Sequence, residues 1–169
     1  MTEVRRATSA DAMAVAEVHV RAWQHAYRGL LPDDYLDALD PADRAERYRL
    51  DNRDPTAART LVAVDGDTLV GFATTTPCRD DDGDGLGELA ALNLDPTVWR
   101  RGIGTLLIDA AGADLRDAGF TDAVLWVMDG SDRAERFYAH HGWRADGTRR
   151  TADVWGAVAA EHRLRRPIA

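Results

Sequence analysis

Cysteine is almost missing from the sequence, and long apolar runs are missing altogether. The single thiol, Cys78, excludes an internal disulfide framework and a cysteine-based zinc cluster. No run approaches the ~20 apolar residues that a membrane-spanning helix needs, and residues 1–13 contain no apolar leader. We therefore expect a cytoplasmic protein with no membrane partner.

Positive charge is also scarce, because 21 basic residues face 29 acidic ones and the formal net charge is -8. Surfaces that bind nucleic acid gain affinity from clustered positive charge, so this balance argues against a nucleic-acid partner. An acidic surface instead attracts cations such as amines. The arginine runs at 149–150 and 163–166 are expected to be solvated strand ends.

The spacing of apolar residues predicts a helical first third followed by a sheet. Ser9 is the expected N-cap of the first helix, which stops at Gly29, and a helix at 33–39 precedes one running from Pro41 to about Leu50. Strands are predicted at 61–64, 69–76, 88–95 and 123–128, helices at 102–118 and 132–141, and a strand-like tail at the C-terminus. This order predicts one domain, residues 1–169, with a mixed α/β sheet.

An acidic, glycine-rich loop at residues 79–87 contains a fragment of a calcium-binding pattern. Asp80-x-Asp82-x-Asp84-Gly85 imitates the first half of an EF-hand loop, but Ala91 stands where the bidentate acid belongs. The flanking elements are strands rather than helices. We therefore expect a mobile, solvated loop and no metal site.

Two arginines and two glycines lie directly before an apolar run with helical spacing in residues 99–107. Unpaired N–H groups and partial positive charge at a helix N-terminus stabilise a phosphate, and Gly102 and Gly104 let the backbone approach it. Arg100 and Arg101 add positive charge. A Gly-Lys-Ser/Thr sequence and the third glycine of a dinucleotide-binding fingerprint are both missing, which argues against those nucleotide loops.

This loop, Leu94-x-Pro96-x-x-Trp99-x-Arg101-Gly102-Ile103-Gly104, resembles the coenzyme A loop of the GNAT superfamily of N-acetyltransferases. Trp99 departs from the family pattern, which has Gln or Arg there. The resemblance implies the mixed, mostly antiparallel GNAT sheet flanked by helices, with acetyl-CoA as the acyl donor. It places the pyrophosphate on the amides of Arg100, Arg101, Gly102, Ile103, Gly104 and Thr105, and the pantetheine arm along Leu92, Asn93 and Leu94.

A second segment resembles the family's Asn-x-x-Ala-x-x-Phe-Tyr-x-x-x-Gly-Phe motif. It begins at Ser131, which replaces the asparagine, and ends at Trp143, which replaces the last phenylalanine. Serine can cap the helix and hydrogen-bond to the cofactor, although its side chain reaches less far than asparagine. Together the two motifs extend the resemblance over residues 60–143.

The resemblance also implies two catalytic groups for acetyl transfer to an amine. Tyr138 matches the family tyrosine that serves as general acid for the departing thiolate, and Glu88 is the candidate base, acting directly or through water. Tyr138 could instead only pack, and Glu88 could be a solvated strand-end carboxylate. A main-chain N–H near Leu92 or Asn93 is expected to polarise the thioester carbonyl. Cys78 shows no paired base, which favours direct transfer over an acyl-enzyme.

The acceptor amine is expected to meet aromatic side chains. Trp23 and Tyr27 lie one helical turn apart and Trp155 lies near the C-terminus, so each could line an amine pocket or belong to the core. The sequence thus predicts an N-acetyltransferase acting on a small-molecule or peptide amine. The alternative is a non-catalytic module that binds or senses acyl-CoA. A homodimer is plausible for this family.

Overall fold

A computed structural model describes residues 1–169 as five α-helices and seven β-strands. The helices are α1 (Ala12–Ala26), α2 (Asp33–Asp37), α3 (Pro41–Ala45), α4 (Ile103–Asp117) and α5 (Asp132–His140). The strands are β1 (Thr2–Arg6), β2 (Arg59–Asp65), β3 (Thr68–Pro77), β4 (Gly87–Leu94), β5 (Asp122–Met128), β6 (Arg144–Val154) and β7 (Ala157–Pro167). None of the helices has the length and apolar character required to cross a membrane.

All seven strands belong to one sheet, in the order β1-β2-β3-β4-β5-β7-β6. Neighbouring strands are antiparallel except β4 and β5, which are parallel. Parallel strands need a long crossover connection, and helix α4 provides it between β4 and β5. The predicted mixed, mostly antiparallel sheet flanked by helices is confirmed.

Strands β4 and β5 are paired only at one end. Their ladder joins Gly87 to Ala123 and Glu88 to Val124 and then stops, so the rest of β4 has no strand partner on its β5 side. A β-bulge in the β3–β4 ladder, between Thr74 and Thr75, lies just beyond this point and bends the strand. The sheet therefore opens between the two strands.

Apolar side chains cover both faces of the sheet. On one face, α4 buries Ile103, Leu107, Ile108, Ala111 and Leu115 at helical spacing in a core of 16 buried residues. On the other face, Val15 and Val18 of α1 pack with Val62 and Phe72. Because successive strand residues point to opposite faces, Phe72 and its neighbour Ala73 belong to different cores. These two layers fix α1 and α4 on either side of the opening.

The start of the first helix differs from the sequence prediction. Thr8, rather than Ser9, is the capping residue, because its side chain and that of Asp11 form a reciprocal capping box. A 3-10 turn over Ser9–Asp11 follows, and α1 begins at Ala12.

The predicted helix from Pro41 to Leu50 is also too long. It ends at Ala45, after which the chain turns so that the Tyr48 hydroxyl lies 2.6 Å from Nδ1 of His19. The predicted strand-like tail is a hairpin of two strands, β6 and β7, because Trp155 and Gly156 form a tight turn with positive φ at both positions.

The acidic loop and the last arginine run are less solvated than predicted. Arg163 of β7 is only 4% exposed, and both of its terminal nitrogens lie 2.7 Å from the carboxylate of Asp82. Asp80 and Asp146 contact the same guanidinium at 3.1 and 2.7 Å. Arg163 therefore ties the predicted mobile loop to the sheet, since a buried guanidinium needs paired carboxylates.

Candidate active site

Two cavities meet at the opening between β4 and β5. The larger, about 800 Å³, lies against the glycine loop and is called the loop cavity. The smaller, about 400 Å³, is lined by several aromatic rings and is called the aromatic cavity. Six residues line both and form the junction: Tyr27, Leu92, Asn93, Trp126, Met128 and Tyr138.

The glycine loop presents a helix N-terminus to the loop cavity. Gly102 is the N-cap residue of α4 with a φ of 79°, a left-handed conformation that glycine adopts without strain. The first helical hydrogen bond is donated by Leu106 to the Gly102 carbonyl, so the amides of Ile103, Gly104 and Thr105 have no partner inside the helix. These amides and the helix dipole favour an anion.

Three arginines add positive charge to the loop cavity. Arg100, Arg133 and Arg136 line it, and none of them forms an ion pair with a carboxylate. Arg133 lies 3.1 Å from the centroid of the Trp99 ring, and the Trp99 indole donates to the Leu94 carbonyl at 3.3 Å. Trp99 stands where the family pattern has Gln or Arg. Its ring stacks against the Arg133 guanidinium and so fixes that group at the cavity.

Ser131 does not cap α5 as predicted. It occupies the N-cap position but makes no side-chain capping hydrogen bond, and its buried Oγ has no partner in the protein. Because a buried hydroxyl without a partner is costly, a ligand in the loop cavity that hydrogen-bonds to it is favoured. Free amides, three guanidiniums without ion pairs and this hydroxyl together fit the diphosphate and polar arm of coenzyme A.

Most predicted cofactor residues surround the loop cavity, and two do not. Those lining it are Leu92, Asn93, Leu94, Arg100, Gly102, Gly104, Thr105, Ser131 and Tyr138. Arg101 points away and lies 3.3 Å from Asp65. Ile103 is 2% exposed and packs in the core between α4 and the sheet. These two residues are therefore available to a cofactor only through their backbone amides.

The aromatic cavity gathers all three predicted acceptor residues. Trp23, Tyr27 and Trp155 line it, and the ring centroids of Trp23 and Tyr27 are 5.1 Å apart. His19 lies 4.9 Å from both Trp23 and Trp155, between the helix and the C-terminal hairpin. Burial raises the pKa of Tyr27 to about 12, so this hydroxyl stays protonated at neutral pH.

Trp155 is held in the cavity by a strained turn. Its φ is 55°, which is rare for a bulky side chain, and Gly156 follows with a φ of 92°. The Trp155 carbonyl accepts hydrogen bonds from the Tyr35 hydroxyl at 2.7 Å and from Arg44 at 3.3 Å. The surrounding contacts therefore hold a conformation that the residue would otherwise avoid, which is typical of functional positions.

The two predicted catalytic residues differ in their position. Tyr138 lies at the junction, and burial raises the pKa of its hydroxyl. Glu88 lies at the end of the parallel ladder and lines neither cavity. Burial, followed by the nearby charge of Asp80, raises the pKa of Glu88. A proton can reach Glu88 from the aromatic cavity only through an intermediate such as water.

Cys78 lies outside both cavities and is half-buried. Burial raises the pKa of its thiol to about 11, so the nucleophilic thiolate is scarce at neutral pH. Its environment agrees with direct transfer rather than an acyl-enzyme.

Several residues of the aromatic cavity escape sequence analysis. They are His19, Tyr48, Phe72, Trp126 and Glu161. His19 could have been found, because it lies on the same face of α1 as Trp23 and Tyr27 at a spacing of four residues. The other residues come from four separate parts of the chain and carry no shared sequence signal.

His19 should make folding stability depend on pH. Burial, and then the nearby Arg44 charge, lower the pKa of His19 to about 3. Since the unfolded pKa is ~6.5, the unfolded state binds more protons between these values, and the free energy of unfolding falls as pH drops through this range. Between pH 7 and pH 5, urea denaturation should show a loss of about 2 kcal/mol in wild type that is missing in His19→Gln. Equal losses in both proteins would contradict this assignment.

Comparison with known proteins agrees with this geometry. The model of the acetyltransferase (GNAT) family matches residues 19–143. The chain belongs to the GNAT acetyltransferase family. The expected enzyme class, an acyltransferase that uses acetyl-CoA as donor, is confirmed with it.

Individual relatives lie at moderate sequence distance from this GNAT chain. The uncharacterised N-acetyltransferase YuaI of Bacillus subtilis is 29% identical over 134 residues, covering 76% of this chain and 73% of YuaI. Mycothiol acetyltransferase of Propionibacterium freudenreichii is 34% identical over 112 residues, or 66% of this chain and 35% of that protein.

A solved structure shares the fold over the whole GNAT chain. The crystal structure of PaiA N-acetyltransferase from Thermoplasma acidophilum, in complex with coenzyme A, superposes with a TM-score of 0.78. The two chains are 20% identical, and the match covers 99% of each. The predicted fold family is therefore confirmed along the full described length.

Proposed function

We propose that this protein transfers an acetyl group from acetyl-CoA directly to a primary amine of a small molecule or peptide. The observation that carries the proposal is the junction, where a cavity suited to coenzyme A opens into an aromatic cavity suited to an amine. Two substrates that enter from opposite sides would meet there beside Tyr138. Such positioning supplies much of the acceleration for a reaction between two bound molecules.

The loop cavity would hold the acyl donor. Amides of residues 103–105 and the guanidiniums of Arg100 and Arg133 bind the diphosphate, and the Ser131 hydroxyl bonds to the polar arm. The part of β4 without a strand partner, Leu92 to Leu94, offers backbone groups to the pantetheine amides. A main-chain N–H at Leu92 or Asn93 polarises the thioester carbonyl.

Two proton transfers accompany the exchange of bonds. The amine nitrogen forms a bond to the carbonyl carbon, and the carbon–sulfur bond breaks. Glu88 takes the proton that the nitrogen loses, through water, and Tyr138 gives a proton to the departing sulfur. A raised pKa suits Glu88 to accept a proton near neutral pH.

Replacing Glu88 with glutamine should lower kcat by about a hundredfold, the usual effect of losing a general base. The base acts only when deprotonated, so its raised pKa places the acidic limb of the pH profile above that of an exposed glutamate. Steady-state kinetics from pH 5 to pH 9 should show that this limb vanishes in the variant. Glu17→Gln, at an exposed position of α1, is the matched control. Wild-type kcat and an unchanged acidic limb in Glu88→Gln would remove Glu88 from this role.

The experiment that tests the proposal measures both products with a panel of primary amines. Coenzyme A release is followed by a thiol reagent, and the acetylated amine is identified by mass spectrometry. The chain contains no lysine, so acetylation of its own lysine side chains cannot account for consumed donor. Equal amounts of thiol and N-acetyl product support the proposal. Donor binding without release across the panel would support the alternative, a module that senses acyl-CoA.

The cytoplasmic location and the homodimer stay predictions.

Removing the Trp155 ring should weaken acceptor binding and leave acetyl-CoA binding nearly unchanged. Trp155→Gly keeps the positive φ of the turn and deletes one wall of the aromatic cavity. We expect KM for the acceptor to rise about tenfold, because an aromatic contact of this size contributes about 1 kcal/mol or more. Acetyl-CoA affinity, measured by calorimetry, should stay within about twofold because Trp155 does not line the loop cavity. A larger loss of acetyl-CoA affinity than of acceptor affinity would contradict this division.

A further inference from the structure

The aromatic cavity has a buried positive charge beside it that the protein does not neutralise. Arg44 is 5% exposed, and its guanidinium lies 4.8 Å from the centroid of the Trp155 ring. It donates to the Tyr35 hydroxyl at 3.2 Å and the Trp155 carbonyl at 3.3 Å, but it has no carboxylate partner, and its buried Nε has no partner at all. Arginines are rarely buried this deeply unless they are paired.

Two further arginines line the cavity itself, whereas Arg44 contacts its Trp155 wall without lining it. Arg47 lies 5.7 Å from the centroid of the Trp155 ring and forms no ion pair. Arg49 donates to the backbone carbonyls of Glu46 and Tyr48 and likewise forms no ion pair. A chain with a formal net charge of -8 thus places two arginines without carboxylate partners in the lining of this cavity and a third against its Trp155 wall. We call Arg44, Arg47 and Arg49 the arginine face.

The opposite charge lies near the junction. Glu161 is the one carboxylate that lines the aromatic cavity, and it is 6% exposed. Its strand pairs it with Met128, a junction residue, whereas no member of the arginine face belongs to the junction. Arg150 forms an ion pair with Oε2 of Glu161 at 2.8 Å and fixes the carboxylate, while Oε1 has no hydrogen-bond partner in the protein. The cavity therefore has a carboxylate oxygen near the point of transfer and arginines without carboxylate partners away from it.

We infer that the acceptor is an amino acid: a primary amine that also carries a carboxylate, with an apolar body between or beside the two groups. This inference rests on the proposed function. The amine points to Glu161 and the junction, the apolar body packs on the aromatic rings, and the carboxylate faces the arginine face. Guanidinium groups suit this role because their planar donors match a carboxylate in pairs.

Matched pairs of amines test the inference. One pair is 4-(aminomethyl)benzoate and 4-(aminomethyl)benzamide, and the other is phenylalanine and phenylalaninamide. Within each pair the amine and the aromatic body are kept and the carboxylate is replaced by a neutral amide, and kcat/KM is calculated for the unprotonated amine of each compound. Each compound is assayed for kcat/KM by thiol release, with the acetylated product confirmed by mass spectrometry. The carboxylate of at least one pair should be used about tenfold better than its amide, which corresponds to about 1.4 kcal/mol.

Reversal of one charge adds an internal control. Arg47 is exposed, so Arg47→Glu should fold, and it should lower the carboxylate-to-amide ratio of kcat/KM by at least about tenfold. Arg53→Glu makes the same change at an exposed arginine that lines neither cavity, and it should leave the ratio unchanged. Amides used as well as carboxylates, or equal ratios in the two variants, would overturn the inference while leaving acetyl transfer in place. Absence of any acetylated amine, here and in the wider panel, would overturn the proposed function and this inference with it.

Discussion

Replacing Gly104 with leucine is expected to weaken acetyl-CoA binding by about a hundredfold, or about 2.7 kcal/mol. Gly104 lies in the first turn of α4 and lines the loop cavity. A Cβ atom there would lie 3.2 and 3.3 Å from two ring atoms of Phe137 and 3.7 Å from Leu94. A leucine side chain must either displace the Phe137 ring or extend toward the amides proposed to bind the diphosphate. Either change would keep the diphosphate away from those amides.

A second glycine in the same helix provides the control for this prediction. A Cβ atom at Gly112 would meet only the end of the Arg116 side chain, at 3.7 Å, and Gly112 lines neither cavity. Gly112→Leu should therefore bind acetyl-CoA like wild type in a calorimetric titration. Thermal unfolding of both variants shows whether Gly104→Leu still folds. A folded Gly104→Leu protein with wild-type affinity would show that the diphosphate lies elsewhere.

Replacing Tyr138 with phenylalanine is expected to lower kcat by about a hundredfold while acetyl-CoA affinity changes little. The hydroxyl lies at the junction, and burial raises its pKa, so it keeps its proton and can donate it to the departing sulfur. Phenylalanine preserves the ring that packs against Phe137 and Trp143. Loss of the proton donor should therefore lower kcat and leave the free energy of unfolding nearly unchanged.

Tyr27 is the matched control because it also contributes a buried hydroxyl to the junction. Tyr27→Phe should reduce kcat by less than about tenfold, since this residue is assigned to the acceptor wall and not to proton transfer. The acidic group must be protonated to act, so any basic limb in the wild-type pH profile should be lost in Tyr138→Phe. A Tyr138→Phe enzyme with near-wild-type kcat, or a larger loss in Tyr27→Phe, would assign the proton to another group.

The residues that line the loop cavity could be predicted from sequence because most of them are contiguous. Gly102 and Gly104 lie within one loop, and the following apolar residues at helical spacing specify where the helix begins. A helix N-terminus that binds an anion through backbone amides needs little else. Ile103 is an exception because successive helix side chains point in different directions. Arg101 is another because it precedes the helix and pairs with Asp65.

The acceptor side could be predicted only in part. Trp23 and Tyr27 share a helix face, but Tyr48 joins them because α3 ends early, and Trp155 joins them through a strained turn. Glu161 lies in a strand that begins with four apolar residues and continues with mostly charged ones, with nothing to show that Glu161 faces a cavity. Some of these residues are more than 100 positions apart in the sequence and meet only in the folded chain. Local sequence patterns therefore do not predict that they share a cavity.

If the two cavities are one continuous reaction site, a ligand that spans both should bind more tightly than coenzyme A alone. The measurement is calorimetric titration of coenzyme A joined through an acetyl bridge to the nitrogen of 2-phenylethylamine, compared with coenzyme A alone, in wild type and in Trp155→Gly. We expect the conjugate to bind wild type at least about tenfold more tightly than coenzyme A, and this gain to shrink in the variant while coenzyme A itself binds both proteins alike. A conjugate that binds no better than coenzyme A, or a gain that survives the loss of Trp155, would show that the aromatic cavity is not the acceptor site.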